Sequence, residues 1–339
     1  MGVRQTRDFT ENGGFYLRLS NTTYLVSDKG MFHHLKLWLK GSFRMSKLFQ
    51  VSLFVPGVLL IVLLFAMLPA LIQADPMNGG LHLMWGQAFS KIREYIEGIW
   101  TGQSFHYYAG QNELLFWEQI GNSLKVTSFY MVIGAVIGTI IGVLLGIYFA
   151  VSRAGWLMRL MELFGALPDF VIVILLQFIV VLVAMKTGVV LAKVGSFNHN
   201  EPAILLPLLS TIIIPASFMI RNVALHMKHT LTEDYINFAK SRGLTKGYII
   251  FHHALPNVLP FIKADLHKFM GILFGNLFIF EYLYNLLGVT LLVFVNAFGM
   301  HGYQYNLVVN GILTFLLLYA AVYLLLRLMI IGWEKVLTR

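Results

Sequence analysis

Four polar side chains, Gln177, Asn276, Glu281 and Asn310, interrupt long apolar runs of the chain. Polar groups are costly against lipid, so each is a candidate for lining a polar pathway, although Gln and Asn equally serve hydrogen bonds between helices. Gln177, Asn276 and Glu281 are the pathway candidates, with Glu281 near the outer end of its run, where it is expected to face water. Other chemistry is excluded more firmly. The absence of cysteine rules out disulfides, thiolate metal sites and cysteine nucleophiles. Adjacent histidines, His33–His34 and His252–His253, point about 100° apart on a helix, so neither pair makes an i, i+4 chelate. They read as cytoplasmic surface residues, and no metal site is expected. The dipeptide Gly-Lys does not occur, so a phosphate-cradling G-x-x-x-x-G-K-[ST] loop is excluded, and no H-E-x-x-H or G-x-S-x-G motif suggests hydrolysis. No catalytic residues and no cofactor are assigned; if ATP drives this protein, another chain binds it.

The elements that must hold these groups are membrane helices. Of 339 residues, 58% are hydrophobic and 12% charged, half the charge of an ordinary globular domain. Six runs reach the ~20 residues needed to span lipid: 51–72, 124–151, 160–186, 202–226, 257–284 and 306–331. The net charge of +9 is distributed by topology rather than in a nucleic-acid patch. Arg4 to Lys47 precede the first run, Arg153 and Arg159 follow the second, Arg221 to Lys263 surround the end of the fourth, and Lys335 and Arg339 close the chain. The alternate loops hold only Lys91, Arg93 and Lys193. This positive-inside pattern predicts an all-α membrane protein with six spans and both termini cytoplasmic. Residues 1–44 form a cytoplasmic tail, 45–72 the first span, 73–121 an outer segment, 122–331 a five-span core with a cytoplasmic loop at 228–258, and 332–339 a second tail. The tail 1–44 has no apolar core of signal-peptide length, and Met31 or Met45 could each be the start.

Trp85, Trp100 and Trp117 in the outer segment suit interfacial anchoring. Gly134, Gly138, Gly142 and Gly146 recur every four residues, a stripe that lets a helix of this chain or of a second subunit approach closely. Pro168 prevents one intrahelical hydrogen bond where the third run begins in "ALPDF", Pro207 and Pro215 mark expected kinks in the fourth, and Asp169 needs water or protein beside it.

Between the fourth and fifth runs, Thr232 is placed to cap a helix whose first turn holds Glu233 and Asp234 and whose last turn holds Lys240 and Arg242, with Gly243 ending it in a left-handed turn. Tyr235, Phe238 and Ala239 share a face. Its mixed charge and small Ala239 favour a groove on another protein over the membrane surface.

Here the residues resemble a known family. Gly243, nine residues, then His253-Ala254-Leu255-Pro256 is similar to the cytoplasmic loop of ABC-importer permeases, E-A-A, three residues, G, nine residues, I-x-L-P. Ala239, Gly243, Leu255 and Pro256 fit it; Asn237, Phe238 and His253 depart from it. "INFAKSRGL", with "GQSF" at 102–105, "NSLKVT" at 122–127, "ALPDF" at 166–170, "PASFMIRN" at 215–222 and Glu281 with Gly288, resembles the dipeptide, oligopeptide and nickel branch over 45–339, although Leu287 stands where proline is usual. The resemblance implies a type I importer fold in a bacterial inner membrane. It implies a second permease subunit in a heterodimer, two ATPase subunits docked on Asn237, Phe238, Ala239, Gly243, Leu255 and Pro256, and an extracytoplasmic binding protein delivering peptides. Nickel or another metal chelate is the alternative cargo; a secondary transporter without ATPase is the alternative class, for which ionisable residues are missing from the middles of the spans.

Overall fold

The computed structural model describes residues 14–19, 22–27, 47–74, 80–152, 156, 159, 163, 165, 167–196 and 201–337. His33–His34, Arg153 and most of the tail 1–44 lie outside them. Contacts divide the chain into two units, 1–61 and 62–339. The first holds an antiparallel ribbon, β1 (Gly14–Leu19) with β2 (Thr22–Ser27), registered Leu19 to Thr22 and Gly14 to Ser27. Helix α1 (Lys47–Ala66) begins in the first unit and ends in the second. A short helix α2 (Leu68–Leu71), carrying Pro69 in its first turn, and a ribbon of β3 (Ile72–Ala74) with β4 (Leu81–Leu83) follow.

The outer segment is built around helix α3 (Trp85–Thr101), which ends on Gly102 at φ 84°, and around the ribbon β5 (His106–Ala109) with β6 (Asn112–Leu115). Helix α4 (Phe116–Val151) has 36 residues, about 54 Å at 1.5 Å per residue and longer than a hydrocarbon core of about 30 Å. Helix α5 (Asp169–Thr187) and helix α6 (Leu205–Thr230) come next. Helix α7 (Asp234–Ser241), helix α8 (Lys246–Tyr248) and a wider π turn at Ile249–Ala254 lead into helix α9 (Leu255–Gly275). Helix α10 (Leu277–Leu283), helix α11 (Val289–Asn296), the ribbon β7 (Phe298–Gly299) with β8 (Gly302–Tyr303), and helix α12 (Tyr305–Leu337) complete the chain.

Among the described residues, α4, α5, α6 and α12 are long and apolar enough to cross a membrane. Helix α1 contributes the apolar stretch Leu53–Ala66, and the 21 residues of α9 include Lys263, Asp265 and Lys268. The chain is thus mostly helical, but the all-α expectation omitted the four short antiparallel ribbons found among the described residues. Three sit in connections too short for a packed sheet, where a local pairing satisfies backbone groups.

The core of the second unit surrounds α9, whose Val258, Leu259, Leu266, Phe269, Met270 and Leu273 are fully buried. Helices α4 and α6 lie against each other along the glycine stripe. A Cβ added at Gly142 would stand 2.5 Å from Met219 Cβ, one at Gly146 2.6 Å from Val223 Cβ, and one at Gly134 2.9 Å from Thr211 Cβ. At Gly138 the nearest atom is the Ile212 carbonyl, 3.5 Å away. The stripe's neighbour is therefore a helix of this chain, the point that spacing alone left open.

Two proline readings change. Pro168, at φ −57° and ψ 138°, precedes α5 rather than interrupting it, and Pro207 sits in the first turn of α6. Neither removes an interior hydrogen bond, because first-turn amides have no partner within the helix. Pro215 does lie inside α6. The fifth apolar run is not one helix: Asn276 separates α9 from α10, and its side-chain amide donates to the Ile272 carbonyl at 3.0 Å.

Candidate functional site

The segment from Glu233 to Pro256 is ordered by its own backbone chemistry. Helix α7 closes with the Gly243 amide donating to the Lys240 carbonyl at 2.9 Å and the Leu244 amide to the Ala239 carbonyl at 3.4 Å. With Gly243 at φ 77°, this is a Schellman closure. Thr232 does not cap α7. Its hydroxyl donates to the His229 carbonyl at 2.7 Å, finishing α6, while Glu233 holds the N-cap position without a side-chain bond. The helix begins one residue later than the capping preference suggests because Thr232 is already engaged by the preceding turn. Thr245 caps α8, its hydroxyl accepting from the Tyr248 amide at 3.4 Å.

Burial sorts the six candidate coupling residues. Asn237, Phe238 and Gly243 are exposed, Pro256 is half-buried, and Ala239 and Leu255 are buried in the same core as the long helices. The expected Tyr235–Phe238–Ala239 face is therefore split. Ile236, fully buried, pairs with Ala239 at i, i+3 to hold α7 against its own chain, leaving Tyr235 and Phe238 outside. Ile236 was the missed residue, and its aliphatic bulk at that spacing was the available signal. The Arg242 guanidinium lies 5.9 Å from the Phe238 ring centre, within cation–π range. Asn257 ties α7 to α9: its amide donates to the Tyr235 hydroxyl at 3.1 Å and to the His253 carbonyl at 2.7 Å.

The paired histidines differ from each other. His252 is exposed, whereas His253 is half-buried with a buried Nε2 that has no hydrogen-bond partner, so His253 is not the surface residue expected of it. The π turn produces this: the Leu255 amide donates to Ile250, five residues back, and the widened turn rotates His253 inward.

Each polar residue of the apolar runs has an identifiable partner. Gln177 donates from its amide to the Val194 carbonyl at 2.8 Å and the Leu283 carbonyl at 3.0 Å, fastening α5 to the connection that follows it and to the last residue of α10. Asn276 donates to the Asp169 carboxylate, which supplies the protein neighbour that Asp169 requires. Asn310 accepts from the Tyr95 hydroxyl at 2.7 Å and donates to the Ser104 carbonyl at 2.8 Å, while Ser104 donates to the Tyr95 carbonyl at 2.6 Å. This places "GQSF" between α3 and α12.

Glu281 does not face water. It is 1% exposed. One carboxylate oxygen accepts from the Thr127 hydroxyl at 2.6 Å; the other accepts from the Thr290 hydroxyl at 2.6 Å and from the Thr290 and Leu291 amides at 2.8 and 3.0 Å. Thr127 also accepts from the Val289 amide at 2.9 Å. Together Glu281 and Thr127 satisfy the first three amides of α11, a cap supplied by distant residues. Gly288 is required beside it, because an added Cβ would lie 2.1 Å from a Glu281 carboxylate oxygen. Position along the run could not reveal this, since the cap is assembled by folding α10, α11 and α4 together.

Residues 138–337, more than half of the chain, match the family described as binding-protein-dependent transport system inner membrane component. The chain belongs to this family. It is thus an inner-membrane permease of a binding-protein-dependent ABC transport system, a class that works with ATPase and substrate-binding partners. The match spans most of the glycine stripe, all of α5 to α12, and with them Gln177, Glu233–Pro256, Asn276 and Glu281. The permease's α3 and both ribbons of the outer segment lie before it. No curated protein matches the chain.

Proposed function

We propose that this permease is one of two membrane subunits, a heterodimer, of an ATP-driven importer for dipeptides or oligopeptides. It has six spans and both termini in the cytoplasm. Two separate ATPase subunits dock on the segment from Glu233 to Pro256, and an extracytoplasmic binding protein delivers cargo to the opposite face. The resemblance of "GQSF", "ALPDF" and "INFAKSRGL" to the peptide branch supports the choice of cargo.

The observation that carries the coupling role is the division of α7 into two faces. Tyr235, Asn237, Phe238 and Arg242 are exposed, whereas Ile236 and Ala239 are buried in a core shared with α4, α6, α9 and α12. A push on the outer face therefore moves α7 as a unit, and the packed inner face and the Tyr235–Asn257 bond pass that movement to α9. Leu255, buried, and Pro256 fix the direction in which the chain enters α9.

Gly243 provides the test. A Cβ there meets nothing of this chain within 4 Å, so within the permease substitution acts through the left-handed backbone. Gly243→Val costs about 1–2 kcal/mol in that conformation. It should separate ATP hydrolysis from peptide uptake in proteoliposomes containing the whole importer, while Gly243→Asn, which tolerates the conformation, should retain coupling. Normal uptake by well-expressed Gly243→Val would remove the role assigned to the turn. Failure of the chain to copurify with ATPase subunits would remove the docking assignment.

A further inference from the structure

A cavity of about 350 Å³ lies along one face of α11, between that helix, the first turns of α4 and the connection after α10. Gly288, Leu291, Leu292 and Val295 form its apolar wall, and Gln119, Asn122, Asn285 and Asn296 bring four carboxamides to it. None of the residues that line it carries a formal charge. The size is at the lower end for sites that hold small molecules. The N-terminus of α11, which would otherwise favour an anion, is already filled by the Glu281 carboxylate.

We propose that this groove is a binding subsite for the uncharged backbone of an extended peptide on its way through the permease. The proposal rests on the peptide reading above and adds the residues that contact the cargo. A carboxamide offers both a donor and an acceptor, the complement of a peptide unit. Asn285 and Asn296 each donate one N–H internally, to the Ser196 and Leu292 carbonyls, each at 2.8 Å, which holds the carboxamides in place and leaves their carbonyl oxygens to accept from a ligand. Gln119 and Asn122 are exposed and their side chains make no hydrogen bond among the described residues, so both ends of each carboxamide remain for a ligand. The apolar wall accommodates side chains without selecting one charge. Carboxylates and imidazoles, which bind metal chelates, do not line it.

Because this chain has no cysteine, labelling read on this subunit within the complete importer is a direct test. Asn122→Cys should be labelled by a membrane-impermeant maleimide from the outer side, and transported peptide with ATP should abolish most of that labelling. Trp100→Cys, at a site 89% exposed on α3, should label equally with and without peptide. In parallel, Asn122→Asp should raise uptake of a lysine-containing peptide relative to a glutamate-containing one of equal length by about fivefold, the upper range for a partly solvated charge pair. A folding defect would lower both peptides together and leave their ratio unchanged, so the labelling of Asn122→Cys keeps the decision independent. Unprotected labelling, with peptide still stimulating ATP hydrolysis, would overturn the groove and leave the peptide reading standing. If no peptide stimulated the unsubstituted importer, both would fall.

Discussion

At the scale of single residues, Glu281 concentrates the most interactions. Its carboxylate takes four hydrogen bonds in a site closed to solvent, so removing it strands amides and hydroxyls that each cost about 1–3 kcal/mol when buried and unpaired. Glu281→Ala should lower the stability of detergent-solubilised protein by about 3 kcal/mol in denaturant titration. Glu281→Gln, which keeps one acceptor oxygen, should lose about 1 kcal/mol. Gly288→Ala should approach the larger loss, because its Cβ occupies the space of the carboxylate. Equal stability of Glu281→Ala and the unsubstituted chain would show that the cap is dispensable.

At the scale of elements, α4 and α6 are joined through the absence of side chains. Gly142→Val forces the helices apart at Met219, and overpacking of this kind costs about 1–3 kcal/mol. Gly121, on the same helix, has nothing within 4 Å of its would-be Cβ; Gly121→Ala should be neutral or stabilising by up to about 1 kcal/mol. The thermal melt should fall for Gly142→Val and hold or rise for Gly121→Ala, and a matched response would mean that the stripe is not a packing seam. A second element depends on Asn310, which connects α12 to Tyr95 and Ser104. Asn310→Leu should speed amide exchange across 85–101 without changing exchange in α9. No change in α3 would mean that its apolar contacts alone hold it.

At the scale of the whole molecule, polar contacts near the middle of α9 tie it to its neighbours. Lys263 pairs with Glu334 of α12 at 2.7 Å, and His226 of α6 faces Asp265 at 3.3 Å. Helices α6, α9 and α12 are thus linked to one another beyond the segment proposed to receive the ATPases, as movement of the helices together requires. The proposed topology makes a simple demand on the cysteine-free chain. Lys240→Cys should react with impermeant reagent only from the cytoplasmic side, and Trp100→Cys only from the outer side. Labelling of both from one side would refute six spans.

The sequence by itself determined the membrane class, the spacing of the runs and the C-terminal end of α7, because hydropathy, charge alternation and a glycine stop are local properties that act wherever the chain goes. Gly243 at φ 77° is such a case. The partner of the glycine stripe, the burial of Glu281, the inward turn of Ala239 and the break at Asn276 were decided only in the tertiary structure. Each depends on which distant atom arrives within a few ångströms: Met219 at Gly142, Thr290 at Glu281, and Asp169 at Asn276. A polar residue in an apolar run reports only that a partner must exist; packing supplies its identity, and with it the difference between a residue that lines a path and one that fastens two helices.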